Sequence, residues 1–137
     1  MAMEPPMQLQ IFETGPLDNN VYVVWCAQTG EGIVIDPAAG AGKAIDFIRG
    51  QNIKVKKIVY THAHPDHVPG AAAFVKATGA TVTAHRLAER IMKGPIIRAL
   101  SGFGLIFKAV APAELLEDGD IVRAGSMQFT TLHSPGH

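Results

Sequence analysis

Apolar and polar residues largely alternate in "MQLQIF" (residues 7–12), while "NVYVVWC" (residues 20–26) is a nearly continuous β-branched and aromatic run, and both read as strands. The turn-rich "ETGPLDN" separates the two. "TGEG" (residues 29–32) makes a tight turn into a third strand, "IVID", which ends at Asp36-Pro37. Three short strands in succession predict an antiparallel meander. In "KAIDFIR" (residues 43–49) the period changes, because Ile45, Ile48 and Arg49 are spaced as on a helix that "GQN" stops. "VKKIVYT" (residues 55–61) is a strand whose apolar centre predicts burial. "GAAAFVKAT" (residues 70–78) is a short helix closed by Gly79, and "ATVTAH" (residues 80–85) is the next strand.

Beyond it the pattern predicts two helical segments, "RLAERIMK" (86–93) and "PIIRALSGFGLIFKAV" (95–110), broken at Gly94-Pro95. The second reads equally as a packed helix or as a loop over a substrate pocket, since its glycines let apolar helices shift. "LEDGDIVRAGSMQFTTLH" (116–133) closes as a hairpin turning at "AGS". Strands, a β-α-β-α alternation and a hairpin together predict an α/β fold with a mixed sheet.

Composition narrows the function. At 137 residues, with 47% hydrophobic and 18% charged positions, the chain suits a single soluble globular domain. Lys+Arg and Asp+Glu stand at 12 each, so no basic field is available to attract nucleic acid or an anionic membrane. A small-molecule substrate is the expected partner. The single cysteine, Cys26, has no internal disulfide partner and reads as a small buried hydrophobe. The start "MAMEPPMQLQ" has no secretory n- and h-regions, and no apolar run is long enough to span a bilayer, which predicts a cytoplasmic protein.

The chemistry is concentrated in "YTHAHPDHVPG" (residues 60–70), where three of the six histidines and an aspartate fall within six residues after a strand. His62 and His64 stand two apart on an extended segment, so both imidazoles face one side and reach one ion. Asp66 and His67 follow at the start of the next helix and can aim at a neighbouring point. This arrangement serves two metal ions. Imidazole and carboxylate donors suit zinc best, and iron and manganese accept them. A first zinc still needs a third protein ligand, and His137, behind the sharp Pro135-Gly136 turn, is placed to supply it.

"THAHPDH" resembles the T-H-x-H-x-D-H signature of the metallo-β-lactamase superfamily, and "LEDGDIVRAGSMQFTTLHSPGH" resembles its following hairpin and third histidine. "NNVYVV" and "GIVIDPAAG" are similar to its opening strands, so the likeness covers nearly the whole chain. Within the superfamily the pattern is most similar to glyoxalase II-like proteins. The resemblance implies a four-layer αββα sandwich with mixed sheets, of which this sequence carries the amino-terminal half to two-thirds. It implies His62, His64 and His137 on a first zinc, Asp66 and His67 on a second, and Asp36 behind the site. His85 and His133 are expected to be non-ligands.

The implied activity is a metal-dependent hydrolase in which a metal-bound hydroxide, oriented by Asp66, attacks a carbonyl. A thioester is the favoured substrate, with lactones and β-lactams open to the same chemistry. No G-x-S-x-G nucleophile elbow competes. The alternatives are an iron-dependent persulfide dioxygenase on the same fold and a catalytically inactive fragment. Family members continue past the histidine of "SPGH" with a bridging aspartate, a further histidine and the second half of the sandwich. The chain is therefore expected to be truncated, with a weak second metal site and an uncovered sheet face that favours homo-oligomers.

Overall fold

The computed structural model describes residues 7–14, 19–38, 40, 42–61, 70–86 and 112–132. β1 (Met7–Thr14), β2 (Asn19–Cys26) and β3 (Glu31–Ile35) form the expected antiparallel meander, with Met7 opposite Cys26 and Tyr22 opposite Ile35. The turn into β3 closes through Gly30, at φ 75, whose N–H donates to the Cys26 carbonyl at 2.8 Å. α1 (Gly42–Gly50) then crosses to β4 (Lys54–Tyr60), which lies parallel to β3. The "GQN" stop works through Asn52, which holds φ 54 while the Ile53 N–H bonds back to the Ile48 carbonyl.

α2 (Ala71–Thr78) makes the second crossover, to β5 (Thr81–His85), again parallel. Its Gly79 cap sits at φ 69 and donates to the Val75 carbonyl at 2.8 Å. The expected helices at 86–93 and 95–110 lie, apart from Arg86, outside the described residues.

One strand escapes the sequence pattern. β6 (Glu114–Leu116) pairs in parallel with β5, extending the sheet to six strands in the order β1 to β6. The hairpin proper is β7 (Ile121–Ala124) and β8 (Met127–Thr130), turning at Gly125 and Ser126 as expected. What divides β6 from β7 is the acidic turn, where the Glu117 N–H donates to the Asp120 carboxylate and Gly119 holds φ 88.

Helices cover one face of the sheet, and the hairpin covers part of the other. Val21, Val23, Val34, Ile58, Tyr60, Val82 and Ala84 point to the side of α1 and α2, where Phe74 and Ala44 are fully buried. Phe47 of α1 meets Phe12 and Trp25 edge-on, each at 5.4 Å between ring centres. On the other face Val24, Cys26, Ile33 and Leu116 pack against Val122, Ala124 and Met127 of the hairpin. Helices, sheet and hairpin are stacked as in a mixed α/β sandwich.

Cys26 is buried as read, with its Sγ 3.4 Å from the Ser126 hydroxyl. Hydrogen bonds with Ser126 and then Thr29 outweigh burial and lower its thiol pKa to about 6. Past the hairpin, Met7, Leu9 and Ile11 on the same face of β1 are about half exposed. Lys57 pairs with Glu114 across β5, a charged bridge on that same face. No helix among the described residues is long and apolar enough to cross a membrane.

Gly32 shows how closely β2 and β3 approach. A Cβ there would lie 2.6 Å from the Val24 carbonyl oxygen and 2.9 Å from the Trp25 Cβ, beside a register shift in the β3–β4 pairing. Gly32→Ala is expected to cost about 1–3 kcal/mol of overpacking. Gly42→Ala, where nothing lies within 4 Å, is expected to cost nothing. Urea midpoints of the two variants check this.

Candidate metal centre

Because β3, β4, β5 and β6 run parallel, their carboxyl ends share one edge of the sheet. Ligands of open α/β sheets gather at this edge. Asp36 leaves β3 there with φ 55, a left-handed backbone that aspartate tolerates better than most residues. The kink removes it from the strand the sequence pattern assigned to it and turns its buried carboxylate toward β4.

Thr61, the residue after β4, meets that carboxylate twice. Its N–H donates to Oδ1 at 2.7 Å and its hydroxyl to Oδ2 at 2.6 Å. With both oxygens engaged by Thr61, Asp36 anchors the end of β4. The Asp36 N–H extends the β3–β4 ladder to the Val59 carbonyl at 2.9 Å.

Gly70, where the described chain resumes, meets the same loop. The Gly70 N–H donates to the Pro37 carbonyl at 2.7 Å, and Gly70 is buried where α2 begins. Tyr60, 2% exposed, faces the helices, and burial pushes its phenol well above the ordinary tyrosine range. It stays protonated at neutral pH and packs in the core on the helical side of the sheet. His85 ends β5, partly exposed and opposite Leu116, on the face that carries Thr83.

His62, His64, Asp66, His67 and His137, the five expected metal ligands, lie outside the described residues, as does His133. Among the described residues no group of three or more His, Cys, Asp or Glu side chains comes together to hold a metal. A groove of about 510 Å³, lined by Ile48, Arg49, Lys54, Lys56 and Thr78 among others, opens by the amino-terminal end of β4. It gathers cations but no imidazole or carboxylate, so it lies at the wrong end of the strand for this chemistry.

Sequence reasoning gave no role to Thr61, Pro37 or Gly70. Their signals were present: a hydroxyl residue directly before the first histidine, a Pro after the kinked aspartate, and a Gly directly before an alanine-rich helix.

A family model described as the metallo-beta-lactamase superfamily matches residues 14–137. The chain is 32% identical over 134 residues to an uncharacterized protein of Aquifex aeolicus, covering 96% of this chain and 61% of that protein. It is 35% identical over 126 residues to a hydroxyacylglutathione hydrolase of Cereibacter sphaeroides, covering 88% of this chain and 40% of the relative. Among solved structures it is similar to TTHA1623, crystallised in a di-iron-bound form, with a TM-score of 0.72 and 30% identity. That match covers 93% of this chain and 61% of the other. The chain thus spans between 40% and 61% of the length of these proteins.

Proposed function

As this chain belongs to the metallo-β-lactamase superfamily, we propose that it is a metal-dependent hydrolase of thioesters, of the kind its hydroxyacylglutathione hydrolase relatives are named for. The observation that carries the reading is the anchoring of Thr61. The residue preceding His62 is held by a buried carboxylate at the carboxyl ends of the parallel strands, beside a run of metal-donor side chains.

The donor set fits a pair of metal ions. Neutral imidazoles and a carboxylate are what zinc takes, and iron and manganese accept them. His62, His64 and His137 would hold the first ion, and Asp66 and His67 part of the second. Asp36, occupied by Thr61, is left out of that set. A bound pair of this kind supplies Lewis acidity and a water of lowered pKa.

The chain's own contribution is placement. Asp66 orients the attacking water, and the three histidines, being neutral, leave the first site electron-poor toward a developing oxyanion. Water oxygen adds to the thioester carbonyl, the C–S bond breaks, and the sulfur leaves as a thiol after taking up a proton. No side-chain nucleophile is consumed. We propose two zinc ions as the resident metals, with iron the second candidate on the strength of the di-iron-bound relative.

The test is thioester hydrolysis by metal-stripped protein reconstituted separately with zinc, iron and manganese. A hydroxyacylglutathione is the substrate, and thiol release is the readout. Turnover is expected with zinc and is expected to fall at least a hundredfold in His62→Ala, consistent with loss of a ligand rather than of its support. Zinc-loaded protein that releases no thiol, while the iron form consumes oxygen with a persulfide, overturns hydrolysis in favour of the dioxygenase reading.

A further inference from the structure

We infer that the loop Asp36-Pro37-Ala38 is a two-point tether, and that Thr61 and Gly70 are positioning residues fixing both ends of segment 62–69 to it. The inference rests on the reading above, in which that segment carries metal ligands.

Two consecutive residues accept hydrogen bonds from the residues that flank the segment. Asp36 takes the N–H and the hydroxyl of Thr61, at 2.7 and 2.6 Å. Pro37 takes the N–H of Gly70 at 2.7 Å. At Gly70 the two backbones touch with no side chain between them. A Cβ there would fall 2.2 Å from the Ala38 carbonyl oxygen and 2.8 Å from that of Pro37. These are backbone atoms, so no rotamer change relieves the clash.

The loop has little freedom to retreat. Pro37 and Ala38 are fully buried, the Asp36 N–H is bound to β4 at Val59, and the Ala38 N–H closes on the Asp36 carbonyl at 2.8 Å. Gly70 is fixed on its other side too, because its carbonyl accepts from the N–H of Phe74, a fully buried residue of α2. The separation between the two ends of the segment is therefore set by the loop and not by what the segment binds. Ligands held this way need less ordering when an ion arrives.

A purely structural role for Gly70 and Thr61 makes a different prediction. Their replacement would lower stability and leave the metal affinity of the folded protein untouched. A tether makes affinity fall in protein that still folds.

The experiment measures zinc affinity of the full chain by competition with a chromophoric chelator, with circular dichroism of the metal-free forms as the folding control. Gly70→Ala and Thr61→Val are expected to bind zinc about tenfold or more weakly, the loss typical of residues that orient ligands. Thr61→Ser, which keeps the hydroxyl, is expected to recover most of the affinity, and Gly42→Ala to match the parent chain. Folded Gly70→Ala and Thr61→Val that bind zinc as tightly as the parent overturn the tether while leaving the hydrolase reading intact. If Gly70→Ala does not fold, the contrast between Thr61→Val and Thr61→Ser decides. A parent chain that takes up no zinc, iron or manganese overturns the hydrolase reading itself, and the tether with it.

Discussion

Asp36→Ala is expected to destabilise the protein by about 4–7 kcal/mol and, on the proposed function, to empty the metal centre together with the fold around it. Hydrogen bonds to a carboxylate contribute about 1.5–3 kcal/mol each, and Thr61 makes two of them. Alanine at φ 55 adds backbone strain of about 1 kcal/mol. Two further variants separate these contributions. Asp36→Gly removes the hydrogen bonds but not the tolerance for positive φ, so it is expected to lose less than alanine by the strain alone. Asp36→Asn keeps a carbonyl acceptor and a residue suited to the left-handed region, and is expected to lose about half as much. Urea denaturation of the metal-free forms gives the order Asn, Gly, Ala from least to most damaged. An alanine variant as stable as the parent would show that the Thr61 contacts carry no weight.

Phe74→Ala is the second large effect, expected at about 3–5 kcal/mol for a fully buried aromatic ring. Phe74 is the largest of the fully buried side chains among the described residues and packs α2 into the core cluster on the sheet. A domain of this size is stable by only about 5–15 kcal/mol in total, so the variant should lie close to its unfolding threshold at 37 °C. Phe74→Leu, which retains most of the volume, is expected to lose less than half as much. The check is a pair of urea curves with unchanged slope, because a change of slope would mean that the denatured or native state had altered instead.

Much of this architecture was legible because it rests on periods. Alternation gave β1, a β-branched and aromatic run gave β2, helical spacing gave α1, and Gly79 marked the end of α2. The donor run at residues 62–67 was legible as chemistry because four metal-ligand side chains in six positions have few other uses. What stayed hidden depends on contacts between distant residues. The strand-like "IVID" gives no sign that Asp36 turns over to φ 55, since that backbone is held by Thr61 and by the ladder to Val59.

β6 is three residues long, too short for any period, and exists because β5 offers it an edge. The apolar centre of "VKKIVY" predicts a buried strand and does not show where its paired lysines go. Lys57 is accommodated because Glu114 on β6 reaches it across β5. The role of Gly70 could not be read from its neighbours, because the atoms that exclude a side chain there belong to Pro37 and Ala38.

The contacts of the Asp36–Ala38 loop also govern when the centre can come into being. Thr61 reaches back 25 positions to Asp36, across the whole α1 crossover. Closing a loop of that length is an entropic cost that only the finished β3–β4 pairing offsets. During synthesis the Asp36–Ala38 loop emerges ahead of the histidine run, and a metal ion meeting the nascent chain finds donors without a platform until β3 and β4 have paired. On the proposed function, the order is sheet first and ion second. That is the reverse of small zinc modules, which are unfolded until their metal arrives.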